Sequence, residues 1–169
     1  EISSTHQKSL SFPTSFAKGL VAVFSLSVFL FSFGFLFYRA RIGVDFFDEA
    51  YYSALDLRLF LGQKLFVDEL YLAQTFSILS YPFFKLHWLF NHSMDGIIYF
   101  MRTMNAVLYL GLGGVVYLTL RGHLTKPLAL IISASACLYF PGNIETLSYN
   151  TLGTLFLSLA LLSTFSALH

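Results

Sequence analysis

Charge is the property that this sequence has least of. Of its 169 residues only 11% are charged and 56% are hydrophobic, whereas a typical soluble domain carries about 25% charged residues. A soluble fold of this size could not cover its surface with so few charges, so lipid must solvate much of it. Twenty Phe and ten Tyr agree with this, because aromatic side chains fill helix bundles and line membrane interfaces.

Several other features that are scarce exclude further classes of protein. The net charge is only +1 and no basic run occurs, so no nucleic-acid partner is predicted. No glycine-rich phosphate-binding motif is present. The single cysteine, Cys137, cannot form an internal disulfide. The five histidines are scattered along the chain, and no metal-binding cluster is predicted.

Four apolar segments predict an all-α fold, a polytopic membrane bundle. A helix that spans the hydrocarbon core needs about 20 apolar residues, and the predicted spans are 19–38, 97–120, 127–141 and 151–168. Residues 1–18 are polar and form an N-terminal segment. Because residue 1 is Glu and the chain ends within an apolar segment, we expect a longer protein, incomplete at the C-terminus here, and no activity from these 169 residues alone.

The segment 39–96 holds most of the acidic residues and is predicted to be a loop outside the membrane. Helices are expected over about 48–61, which Gly62 would end, and over about 70–90, which contains Pro82. Both are predicted to lie at the interface. The alternative is that 70–90 crosses the membrane.

The positive-inside rule sets the predicted orientation. If 70–90 does not cross, four basic residues share one side of the membrane, which is then the cytoplasm: Lys8, Lys18, Arg121 and Lys126. The N-terminus is therefore predicted to be cytoplasmic, and a bacterial inner membrane is the expected location.

Three sequence features stand in a recognisable order. Asp-Phe-Phe-Asp-Glu-Ala-Tyr-Tyr (45–52) follows the first span, Arg102 opens the second, and Asn-Ile-Glu-Thr-Leu-Ser-Tyr-Asn (143–150) precedes the last. This order resembles the N-terminal part of GT-C glycosyltransferases, which include protein O-mannosyltransferases and lipid A aminoarabinose transferases. The Pro-Pro pair that many relatives carry in the interfacial helix is absent, and Tyr81-Pro82 stands there instead.

The resemblance implies sugar transfer from a polyprenyl-phosphate donor on the outer side of the membrane. Phosphate is a good leaving group, so such an enzyme needs one general base and positive charge near the phosphate. The family's acidic pair falls on Asp48 as general base and Glu49 as a positioning residue. Arg102 and Lys85 are candidates for contact with the carrier phosphate, and Glu145 for holding the acceptor or a divalent cation, or for orienting Asp48.

Each of these residues also has a purely structural interpretation. Asp45 could cap a helix with Asp48 and Glu49 in its first turn. Arg102 could pair with Asp95 or extend to the membrane surface. The alternative function is a non-enzymatic membrane protein, such as a transporter or channel subunit. The expected partners are membrane lipids and the lipid-linked donor, and the acceptor cannot be inferred.

Overall fold

The computed structural model describes residues 14–43, 48–68, 72–139, 141 and 144–168, and no β-strand occurs in this part of the chain. The prediction of an all-α fold is confirmed. A short 3₁₀ helix, Leu72–Phe76, leads directly into the third α-helix. The α-helices are α1 (Thr14–Arg39), α2 (Asp48–Phe60), α3 (Ser77–Asn91), α4 (Ile97–Leu120), α5 (Lys126–Cys137) and α6 (Tyr149–Leu168).

Three of these helices, α1, α4 and α6, are long and apolar enough to cross a membrane. Helix α5 is apolar but has only 12 residues, which gives a length of about 18 Å against a hydrocarbon core of about 30 Å. It ends at Cys137, four residues before the predicted end of the span 127–141. The fourth crossing therefore stays a prediction.

Helix α4 is the centre of the long-helix bundle and packs closely against α5 at Gly113. The Ser133 hydroxyl donates a hydrogen bond to the Gly113 carbonyl, and the Cys137 thiol lies 3.4 Å from the Tyr109 carbonyl oxygen. A Cβ atom on residue 113 would lie 2.2 Å from the Cys137 sulfur. The absence of a side chain at this glycine is therefore what allows the two helices to pack so closely.

The start of α6 is fixed by reciprocal hydrogen bonds between two hydroxyl residues. The backbone N–H of Ser148 donates to Thr151 Oγ1 at 2.9 Å, and the N–H of Thr151 donates to Ser148 Oγ at 3.2 Å. This pattern satisfies N–H groups that a helix N-terminus would otherwise leave unpaired. The Tyr109 hydroxyl also donates to the Thr151 carbonyl at 3.3 Å, so the same turn is attached to α4.

Helices α2 and α3 pack against each other and against the first turns of α4. The contacts of α2 with the 3₁₀ helix and with α3 are aromatic. The ring centroids of Tyr52 and Phe76, the last residue of the 3₁₀ helix, lie 5.0 Å apart, and those of Phe60 and Trp88 lie 4.9 Å apart. The helix predicted over 48–61 is present as α2. The segment predicted over 70–90 divides into the 3₁₀ helix and α3, with Pro82 inside α3.

Some predictions concern residues outside the described ranges. Residues 1–13 of the predicted N-terminal segment, Asp45 as a helix cap, and residues 69–71 belong to this group. That α2 and α3 lie at a membrane interface is a statement about an environment, and it stays a prediction.

Candidate functional site

Glu49 and Arg102 form a buried ion pair at one end of the bundle. Glu49 lies in the first turn of α2 and is 0% exposed, and Arg102 lies in the second turn of α4 and is 5% exposed. The Arg102 Nε–H donates to both carboxylate oxygens of Glu49, at 3.0 and 3.1 Å, and Nη2 bonds to Oε2. A planar guanidinium facing a carboxylate in this way is the strongest type of ion pair that side chains form.

The same guanidinium also binds the chain that follows α1. Arg102 Nη1 donates to the carbonyl of Ile42 at 3.0 Å and lies 3.4 Å from that of Ala40. These contacts satisfy guanidinium N–H groups. An arginine near the start of an apolar helix is energetically costly if such groups are left without partners. Arg102 therefore joins the C-terminal end of α1 to the N-terminal ends of α2 and α4.

Glu145 attaches the segment between α5 and α6 to this pair. Its backbone N–H donates to Glu49 Oε1 at 3.1 Å, and Asn105 Nδ2 donates to its carbonyl at 2.9 Å. Its carboxylate bonds to Arg39 Nε and lies 3.9 Å from Arg102 Nη1. We call Arg39, Glu49, Arg102, Asn105 and Glu145 the ionic network. It contains two formal positive and two formal negative charges, which balance.

The ionic network contains three of the five predicted site residues: Glu49, Arg102 and Glu145. They are distant in sequence, since Arg102 lies 53 positions after Glu49 and Glu145 lies 96 positions after Glu49. Asp48 lies next to Glu49 in the chain, and it is exposed in the first turn of α2. Its position agrees with both interpretations, because a carboxylate here also favours the helix dipole. Asp48 is thus the accessible acid beside a rigid, buried one.

Lys85 lies apart from the network. It is exposed on α3, with its ammonium group 5.0 Å from the centroid of the Tyr81 ring. The suggested pairing of Arg102 with Asp95 is not what the structure shows. Asp95 instead accepts a hydrogen bond from the Ser93 hydroxyl at 2.8 Å, because the carboxylate of Glu49 already occupies the guanidinium.

Sequence reasoning missed Arg39 and Asn105 as members of the site. Asn105 had a usable signal, since it is a polar residue within an apolar span and lies three positions after Arg102, which places both on one helix face. Arg39 had only its position after the first span. Its partner, Glu145, is too distant in sequence for pairing to be inferred.

The ionic network leaves little ligand capacity for a divalent cation. Glu145, the predicted cation ligand, is already neutralised by Arg39. Across the described residues, no group of three or more His, Cys, Asp or Glu side chains is arranged to hold a metal.

The chain matches no known family model, curated protein or solved structure. The resemblance to GT-C enzymes therefore stays a prediction from the sequence.

The two adjacent acids, Asp48 and Glu49, differ in what they can do chemically. Glu49 is saturated by donors and cannot reach a ligand without losing them. Asp48 is exposed and attached to the same helix turn. The network therefore fixes the backbone position of an accessible carboxylate at the point where four chain segments meet.

Proposed function

We propose that the chain belongs to a membrane glycosyltransferase that moves a sugar from a polyprenyl-phosphate carrier to an acceptor on the outer side of the membrane. The observation that carries this proposal is the ionic network, which gathers Glu49, Arg102 and Glu145 beside the exposed Asp48. All of these lie where the end of α1, the starts of α2 and α4, and the segment before α6 come together.

In the proposed reaction Asp48 is the general base. It takes the proton from an acceptor hydroxyl as the acceptor oxygen bonds to the anomeric carbon of the sugar. The bond from that carbon to the phosphate oxygen breaks, and the phosphate leaves with the electron pair. No proton donor is needed for this leaving group, which explains how one accessible carboxylate could suffice.

The other predicted residues take supporting roles in this proposal. Glu49 and Glu145 position the first turn of α2 through Arg102. A carrier phosphate that contacts Arg102 would have to share the guanidinium with Glu49 or displace the Ile42 carbonyl from it. Lys85 is exposed and therefore accessible to an anion, but it lies outside the network.

The proposed orientation places this end of the bundle outside a bacterial inner membrane, with the N-terminus in the cytoplasm. It is supported by the basic residues near the opposite end, Arg121 and Lys126, which follow α4 and begin α5. In this orientation α2 and α3 would lie on the outer surface of the membrane.

The mutation that tests the proposal is Asp48→Asn, because asparagine keeps the shape and can still accept hydrogen bonds but cannot take a proton. Removing a general base typically lowers the rate by a factor of about 10²–10⁴. We expect a loss of this size in transfer of labelled sugar by membranes containing the variant of the full-length protein, at equal amounts of folded protein. Asp95→Asn is the matched control, since Asp95 is also an exposed acid before α4. Full activity of Asp48→Asn would leave Asp48 with only its role at the helix terminus.

One observation favours a second candidate, a non-enzymatic membrane protein such as a transporter or channel subunit. The ionic network is balanced in charge and needs no ligand to complete it, as expected for a structural clamp between helices. This candidate predicts that Asp48→Asn and Asp95→Asn behave alike and that no sugar transfer depends on the protein.

A further inference from the structure

Another buried carboxylate, Asp56, lies two turns after Glu49 on α2. It is 1% exposed and faces α3, where the Ser80 hydroxyl donates to its Oδ1 at 2.7 Å. Among the described residues, no arginine, lysine or histidine forms an ion pair with it. The charged side chains of the neighbouring helices have other contacts: Arg102 pairs with Glu49, and Lys85 lies over Tyr81.

Three polar atoms at the interface between α2 and α3 have no hydrogen-bond partner among the described residues. They are Oδ2 of Asp56 and the hydroxyl oxygens of Ser53 and Ser77. Ser53 lies three residues before Asp56 on α2, and Ser77 lies three residues before Ser80 on α3. Residues with this spacing share a helix face, so two rows of oxygen-bearing side chains meet across the α2–α3 interface.

These side chains are buried deeply enough for the missing contacts to matter. Ser77 and Ser80 are 0% exposed and Ser53 is 6% exposed. Burial raises the pKa of Asp56 to about 7, while the hydrogen bond from Ser80 and the nearby Ser77 hydroxyl act to lower it. Buried polar groups are normally satisfied, and a buried charge is normally compensated by an opposite one. Hydroxyl groups can bond to the carboxylate, but they do not supply a positive charge.

We propose that Asp56, Ser53, Ser77 and Ser80 form a binding site for a small monovalent cation such as Na⁺. Carboxylate and hydroxyl oxygens are the hard ligands that such ions take. One carboxylate supplies one negative charge, which matches a monovalent ion. A bound ion would satisfy Oδ2 and both unpaired hydroxyls at once and would join α2 to α3. This site is separate from the ionic network, so it does not depend on the proposed glycosyltransferase function.

The test is the thermal stability of the purified protein in detergent as NaCl replaces choline chloride at constant ionic strength. Measurements at pH 8 keep the carboxylate ionised. A ligand that binds only the folded state stabilises it by RT ln(1 + [L]/Kd), so the midpoint of unfolding keeps rising with ligand concentration. We therefore expect the midpoint of the wild type to rise with Na⁺ concentration. The rise in the wild type should be larger than the rise in Asp56→Asn.

Two further variants keep the test decisive if Asp56→Asn does not fold. Ser77→Ala removes one ligand, and the Na⁺ concentration needed for a given shift in the midpoint should rise by up to about tenfold. Asp95→Asn removes an exposed acid elsewhere and should leave the response unchanged. The proposal is wrong if the wild type has the same midpoint in both salts, or if Asp56→Asn or Ser77→Ala responds to Na⁺ as the wild type does.

Discussion

Replacing Arg102 with alanine should destabilise the protein more than replacing any exposed arginine. The substitution removes the guanidinium that bonds to both carboxylate oxygens of Glu49 and to the Ile42 carbonyl. Glu49 then stays fully buried without its cation. Breaking a buried ion pair by removing one partner typically costs about 3–5 kcal/mol, because an uncompensated charge is left behind. We expect a loss of this size in the free energy of unfolding.

The matched control is Arg121→Ala at the other end of the same helix. Arg121 is exposed, and exposed substitutions usually change stability by less than about 0.5 kcal/mol. Reversible unfolding in mixed micelles, followed by loss of helical circular dichroism, measures both variants. Arg102→Lys should fall between the wild type and Arg102→Ala, because lysine keeps the charge but cannot bond in the forked geometry.

A double-mutant cycle shows whether the loss arises from Glu49. Glu49→Gln removes the negative charge, so the double variant should be destabilised by far less than the sum of the two single changes. Residues in direct contact typically show coupling of about 0.5–3 kcal/mol. The reasoning is refuted if the two changes are additive, or if Arg102→Ala is no more destabilising than Arg121→Ala.

Two further predictions concern the remaining buried features. Since burial raises the pKa of Asp56 from 3.8 to about 7, the unfolded chain loses this proton first as the pH rises. In choline salts the protein should therefore lose about 4 kcal/mol of stability between about pH 4 and pH 7, and a denaturant titration of Asp56→Asn should lack this slope. Gly113→Ala should cost about 1–3 kcal/mol through the clash with Cys137, whereas Gly114→Ala, with open space around it, should be neutral or stabilising by up to about 1 kcal/mol. Equal thermal midpoints for the two alanine variants would contradict the close packing of α4 and α5.

The long helices could be predicted from sequence because their signal is local. An apolar run of about 20 residues with at most one charge is sufficient to identify such a helix, and the predicted 97–120 coincides with α4. The 12-residue α5 was less predictable. The apolar residues after Cys137 continue the hydrophobic pattern, but the helix ends there, so composition alone overestimated its length.

The ionic network was only partly predictable, because ion pairs join residues that are distant in sequence. Glu49, Arg102 and Glu145 were each identifiable in the sequence, and the resemblance to GT-C enzymes implied a common site for them. That Arg102 selects Glu49 over the nearer Asp95 depends on how α2 packs against α4. No local pattern contains that information, and the same applies to the meeting of Asp56 with Ser77 and Ser80.

The measurement that tests the proposed function most directly compares two donors of the same labelled sugar in membranes containing the protein. One donor is the polyprenyl-phosphate sugar and the other is the nucleotide sugar. The account predicts transfer to an acceptor from the lipid-linked donor alone, and a large loss of that transfer in Asp48→Asn. If the well-folded full-length protein transfers nothing from the lipid-linked donor, or uses the nucleotide sugar equally well, the proposed function is wrong.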